Sequence, residues 1–435
     1  MAPKIQRLQK IIPYCILAVA VFSVLPYPNS TTSFITTISN TFFWWFVQIL
    51  ILYTFFLSKK YLYNKDQNGI IISVKLYLIW NVFSVLRGIF IAETYWDWKW
   101  LLENSLAFMI PVVAYTATNV LVMQNTLRFF IRYALLVFAF FALFIITGAY
   151  GFYLVPIGFL TLFLPFIKKP WRWIVLGLAV FVIFADLTNR SNVIKFAVPI
   201  LFSFLYYFRF MLSTTVFELV RKLLIIAPIF FFVLGVNGDF NIFKMDEYLK
   251  GDFVDVRVDE KGQRIEEDLK ADSRTFIYEE VLHTAKVYDS WWLGRSPARG
   301  NISESYGEND LNKRGERMGN ELAIANIFNW TGIIGVVLYL ITFYKASYLA
   351  VNRSNNVFSK ILGLFVAFRW LYAWVEDTNN FSITTFFLWI MIGMCFSESF
   401  RKMNNKEVKI WVQGIFERPK TLPKKMMFNP RFKRF

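Results

Sequence analysis

The chain contains one histidine, His283, and two cysteines, Cys15 and Cys395, in 435 residues. A zinc site built on imidazoles is excluded, and the two thiols, lying in apolar runs near opposite ends of the chain, suggest neither a disulfide framework nor a cysteine metal site. Charge is also scarce. Only 18% of residues are charged, against roughly a quarter in an ordinary soluble domain, which excludes a soluble enzyme. No Asp-x-Asp pair is present, and P-loop, Rossmann and serine-hydrolase signatures are missing too. No metal and no cofactor are therefore expected.

What the sequence has is apolar length: 56% of residues are hydrophobic and 20% aromatic. The apolar residues fall in runs of about 16 to 27, and a helix needs ~20 to cross a hydrocarbon layer. The expected fold is an all-α integral membrane protein with about twelve transmembrane helices. The runs cover 11–26, 41–57, 70–92, 101–121, 127–148, 151–167, 171–187, 193–212, 222–236, 321–347, 357–375 and 380–399.

Lysine and arginine mark the cytoplasmic side of such a protein. With the N-terminus inside, the even-numbered connections carry Lys59, Lys60, Lys168, Lys169, Arg209, Arg221, Lys345 and Arg353, and the tail from Arg401 has eleven basic residues and two acids. Both termini are thus expected in the cytoplasm. Attraction to anionic lipid accounts for the net charge of +17, and nucleic acid is not an expected partner. Residues 237–319 are the exception, with 18 acids and 13 bases. The expected organisation is helices one to nine in 1–236, a periplasmic loop domain in 237–320, helices ten to twelve in 321–400, and a basic cytoplasmic tail in 401–435. Within the loop, Phe276, Ile277, Val281 and Leu282 recur at helical spacing between Ser273 and Tyr288, the acid-rich stretch 252–272 alternates with bases as a solvated surface does, and 294–319 reads as irregular loop.

Five cations break the topology rule by falling on the outer side: Arg87, Arg190, Lys195, Arg274 and Arg369. A charge in the hydrocarbon costs at least ~2.5 kcal/mol on insertion scales. Each could pair structurally with Glu93, Glu103, Asp186 or Glu376; collected on one face, they suit an anion such as a diphosphate, which guanidinium forks meet bidentately. Tyr95, Trp96, Trp98 and Trp100 crowd a short outer connection, where Trp96 and Trp98 could stack on sugar rings or serve as an interfacial girdle.

Three patterns, in order, resemble a known family: Asp186-Leu-Thr-Asn-Arg-Ser-Asn-Val-Ile-Lys195, then Ala271-Asp-Ser-Arg-Thr-Phe-Ile-Tyr with Trp291-Trp-Leu-Gly-Arg-Ser-Pro, then Gly319-Asn-Glu-Leu-Ala-Ile-Ala-Asn-Ile-Phe-Asn-Trp-Thr-Gly-Ile-Ile-Gly335. Together they resemble the O-antigen ligase and O-antigen polymerase superfamily, over 180–340 by motif and over the whole chain by topology. The resemblance implies a GT-C-like fold and an inverting, metal-independent glycosyltransferase of the bacterial inner membrane, active in surface-polysaccharide assembly. Its donor would be a polyprenyl-diphosphate-linked glycan. Its acceptor would be another carrier-linked unit for a polymerase, the favoured reading, or lipid A–core for a ligase. A flippase and a chain-length regulator are implied neighbours. Arg190, Arg274, Lys195, Arg87 and Arg369 would hold the diphosphate. The histidine common at the start of the third pattern is replaced by Glu321, which becomes the expected catalytic base provided that burial raises its pKa. A transporter or lipid flippase for an anionic substrate is the alternative from a different class, although no internal repeat is found.

Overall fold

The structure, a computed structural model, describes residues 2–28, 41–63, 71–187, 189–238, 240–241, 243–244, 254–258, 264–268, 274–305 and 311–417. The chain is mostly helical, with little sheet. Among the described residues, seven helices are long and apolar enough to cross a membrane. In chain order the main helices are α1 (Ala2–Phe22), α2 (Thr41–Leu62), α3 (Ile72–Ile91), α4 (Tyr95–Phe108), α5 (Val120–Phe129), α6 (Trp171–Ala185), α7 (Arg190–Phe204), α8 (Thr214–Asn237), α9 (Thr275–Val287), α10 (Ala323–Asn352), α11 (Val357–Tyr372), α12 (Ile383–Phe396) and α13 (Asn405–Phe416).

The centre is built by α10, α11 and α12. Every residue of α12 is buried, and α10 packs along α3, α8, α11 and α12. The periphery is the reverse: α2 and α8 present Phe42, Phe46, Tyr53, Leu223, Ile226 and Phe230 outward, as expected of helices whose surroundings are apolar.

The apolar run 151–167 does not form one helix. It breaks into short turns, Tyr150–Tyr153, Val155–Thr161 and a 3-10 turn at Leu164–Phe166. Pro156 and Pro165 remove amide donors at the starts of two of these pieces. A Cβ on Gly151 would meet Asn192 Oδ1 at 2.2 Å, so the missing side chain lets this backbone press against α7. Burial inside the protein makes such irregular backbone tolerable.

α10 bends where Gly332 adopts φ 68° and ψ −173°. The segment 291–296 lies in the bend: the amide of Ile333 donates to the Trp291 carbonyl (2.8 Å), and those of Arg295 and Ser296 donate to the carbonyls of Asn329 (2.6 Å) and Trp330 (3.1 Å). Gly294, with φ 66°, faces the same bend, and a Cβ there would lie 2.5 Å from Thr331 N.

Between α8 and α10 the expected loop helix is present as α9, although Ser273, its expected first residue, lies outside the described residues. The acid-rich stretch contains an antiparallel hairpin, β1 (Val254–Val258) with β2 (Arg264–Asp268). Two-residue strands β3 (Asn301–Ile302) and β4 (Glu316–Arg317) pair within the expected irregular loop. The tail also holds structure: α13 is capped by an Asn404–Glu407 capping box and packs on α5, Arg128 Nε donating to the Gly414 carbonyl (2.7 Å). The remainder of the tail, 418–435, lies outside the described residues.

Candidate functional site

The turn between α11 and α12, residues 373–382, gathers charges from three other parts of the chain. α7 delivers Lys195, which is 8% exposed; it forms an ion pair with Glu376 Oε1 and sits 4.9 Å above the Phe152 ring. Ser191, one helical turn earlier on the same face of α7, donates to the same carboxylate oxygen. α11 delivers Arg369 in its last turn, 4% exposed. Among the described residues, Arg369 Nε and Nη2 have no hydrogen-bond partner. Lys195 and Arg369 together line a cavity of about 30 Å³, closed by Gly158, Phe159, Thr384 and Phe387. That is room for about one water molecule. Two buried cations thus share one close carboxylate, and the excess positive charge lies where desolvation makes it costly.

The same turn supports the start of α10. The Ala323 amide donates to the Glu376 carbonyl (3.2 Å) and the Ile324 amide to the Ala373 carbonyl (3.1 Å), which satisfies two of the amides left over at a helix start. Asn379 Nδ2 donates to the Ala323 carbonyl (2.9 Å). The segment between α8 and α10 is fastened here as well. Arg274, the residue preceding α9, donates from Nε to the Val375 carbonyl (2.9 Å), and the Tyr278 hydroxyl donates to the Trp374 carbonyl (2.6 Å). Beside this junction an apolar cavity of about 290 Å³ opens between α8, α9 and α11, lined by Phe231, Phe232, Leu282, Leu371 and Trp374.

The expected site residues separate into groups. Lys195, Arg369, Arg274 and Glu321 meet at or beside the turn. Arg190 is the first residue of α7 and is exposed, five positions before Lys195. Arg87 is committed elsewhere: its guanidinium donates to the carbonyls of Leu293 (2.6 Å) and Gly294 (3.1 Å), holding the segment that fills the α10 bend. Trp96 and Trp98 are exposed on the first turn of α4. This is a helix start, not a connection: Thr94 Oγ1 accepts from the Asp97 amide (3.2 Å) and Asp97 Oδ2 accepts from the Thr94 amide (3.0 Å), a capping box. α4 packs against α2 and α3, and Lys99 lies 5.0 Å over the Trp96 ring. His283 is exposed on α9.

Glu321 lacks the burial on which its expected role depends. Its side chain is 53% exposed, 3.8 Å from Arg274 Nη2 and 3.5 Å from Arg317 Nη2. The physical reason is its position one residue before Leu322, where the chain is still extended and has not yet entered the packed helix.

Two neighbouring carboxyls of the turn differ sharply. Burial pushes Glu376 up, but Lys195 and Arg369 more than offset this and hold it below the ordinary carboxylate value. Burial pushes Asp377 up to about 6, against the opposing effect of the Asn379 backbone amide, which donates to Asp377 Oδ1 (2.9 Å). Asp377 is absent from the sequence-derived candidates. The signal that could have found it is Glu376-Asp-Thr-Asn-Asn380, five polar residues in the short gap between two apolar runs. Against family models, curated proteins and solved structures, the chain finds no match.

Proposed function

We propose that the chain is a polytopic glycosyltransferase of a bacterial inner membrane, with both termini cytoplasmic and the 373–382 turn on the periplasmic side. It moves a glycan from a polyprenyl diphosphate onto a hydroxyl acceptor. One observation carries this reading: a buried arginine, Arg369, has two guanidinium nitrogens without partners among the described residues, beside a second buried cation, Lys195. Unpartnered buried donors are costly unless something completes them, and a diphosphate is an acceptor of suitable charge.

The chemistry follows from the charges. As the bond from the anomeric carbon to the phosphate oxygen breaks, the sugar gains oxocarbenium character and the diphosphate gains negative charge. Fixed cations in a dry site stabilise that charge without reorganising. Arg369 and Lys195 would do so from the helices, with Arg274 reaching the same turn from the loop domain. Polymerisation of carrier-linked units is preferred over ligation to lipid A–core, because ligases of the resembled family usually keep the histidine that Glu321 replaces here.

The broken backbone at 150–166 and the α10 bend favour a second reading, transport of an anionic lipid, since interrupted helices accompany transport sites. One experiment separates the two. Cells carrying Arg369→Gln or Arg274→Gln are compared with a gene deletion for surface polysaccharide and carrier-linked glycan, with protein level and monodispersity checked in detergent. Glycosyl transfer predicts that the variants reproduce the deletion, with single units on the carrier for a polymerase and long chains for a ligase. Normal profiles from folded variants reject glycosyl transfer and promote transport.

A further inference from the structure

Glu376 and Asp377 are consecutive, yet one faces cations and the other amides. Glu376 Oε1 is taken by Lys195 and Ser191. Asp377 Oδ1 accepts from the Asn379 amide, and part of the residue stays reachable from outside. The Asn326 amide beside it is held in orientation at both ends, its Oδ1 accepting from the Asn320 amide (2.7 Å) and its Nδ2 donating to the Asn320 carbonyl (2.8 Å). Two buried acceptors in the same network, Glu376 Oε2 and Asn320 Oδ1, have no partner among the described residues. A cluster of oriented amides with unfilled acceptors suits a ligand that donates several hydroxyl hydrogens.

We propose that this cluster is the acceptor-sugar subsite and that Asp377 is the general base of the transfer, an inference that rests on the glycosyl-transfer reading. In the step, the acceptor hydroxyl gives its proton to the Asp377 carboxylate while its oxygen bonds to the anomeric carbon of the donor. The bond from that carbon to the phosphate oxygen breaks, and its electron pair leaves with the diphosphate beside Lys195 and Arg369. Asp377 then releases the proton to water. Two carboxyls whose surroundings drive them apart commonly divide their roles in this way: Glu376 stays ionised and positions Lys195, while Asp377 exchanges the proton. The titratable groups that bear on Asp377 are Glu376 in its own turn and Tyr339 of α10; Lys195 of α7 and Arg369 of α11 act on the neighbouring Glu376, and Arg274 before α9 reaches the Val375 carbonyl.

The test uses the full chain in lipid nanodiscs, with carrier-linked glycan extracted from the deletion strain as both donor and acceptor. The wild-type rate is expected to rise with pH through about 6 and then level. Asp377→Asn, which keeps an oxygen for the Asn379 amide, is expected to lose about 10²-fold or more in rate while still binding the glycolipid. Asp377→Glu is expected to retain a measurable rate with its acid limb displaced, which guards against a merely structural loss. If Asp377→Asn transfers within twofold of wild type, or keeps the same acid limb, the base assignment is overturned. Failure of the larger reading looks different: Arg369→Gln would then transfer normally too, or the wild type would not extend the carrier-linked glycan at all.

Discussion

Lys195 and Glu376 join α7 to the turn after α11 by a buried ion pair, and among the described residues this pair leaves Arg369 beside it without a carboxylate of its own. Removing the carboxylate strands both cations in a poorly hydrated place, and breaking a buried pair costs about 3–5 kcal/mol. Glu376→Gln is therefore expected to lower thermal stability in detergent by several degrees or more. Glu376→Gln with Lys195→Met should recover part of that loss, because one buried cation then remains instead of two. A double variant as unstable as the single one would refute the coupling.

Gly332 is expected to be intolerant of any side chain. Its φ of 68° disfavours L residues, and a Cβ there would meet the Trp292 carbonyl oxygen at 2.2 Å. Strain and clash together should cost about 3 kcal/mol or more, read as loss of monodisperse protein. Gly177→Ala, where a Cβ meets nothing within 4 Å, should behave as wild type in the same assay.

Arg87 is expected to act on the loop rather than on the donor. Arg87→Gln should loosen residues 291–296, since the carbonyls of Leu293 and Gly294 lose a charged donor. Hydrogen bonds to charged groups contribute about 1.5–3 kcal/mol. Limited proteolysis should then cut near Trp292 faster, while glycolipid binding, measured by native mass spectrometry, should stay within about threefold of wild type. Unchanged proteolysis with lost binding would return Arg87 to the anion site.

Transfer should be indifferent to divalent cations. In the proposed transfer, Arg369, Lys195 and Arg274 would supply the positive charge that a metal would otherwise bring to a departing diphosphate. Adding EDTA and then restoring Mg²⁺ or Mn²⁺ to the nanodisc assay is expected to leave the rate unchanged, and a loss on chelation that Mg²⁺ reverses would contradict this.

Apolar run length was enough to find α2, α3, α8 and α10, because a span is chiefly a matter of composition over distance. It could not find the breaks at 150–166: they arise from two prolines and from Gly151 touching Asn192, a contact between segments far apart in the chain. Lys195 and Arg369 stand out in the sequence because charge in an apolar run demands a reason, and Arg274 because it is a cation on the expected outer side. The carboxyl opposite them does not. Glu321 stands at the start of the third pattern, but burial depends on where the helix begins to pack, and the enclosed carboxyls belong to a turn 55 residues later.

The wholly buried α12 also constrains how the molecule is made. Its fourteen residues measure about 21 Å at 1.5 Å per residue, short of the ~30 Å hydrocarbon thickness. Synthesis reaches it after α1, α10 and α11, which it packs against. The middle of the bundle is therefore filled last, by a segment ill suited to stand alone in lipid, and the earlier helices must wait with an open slot until it arrives.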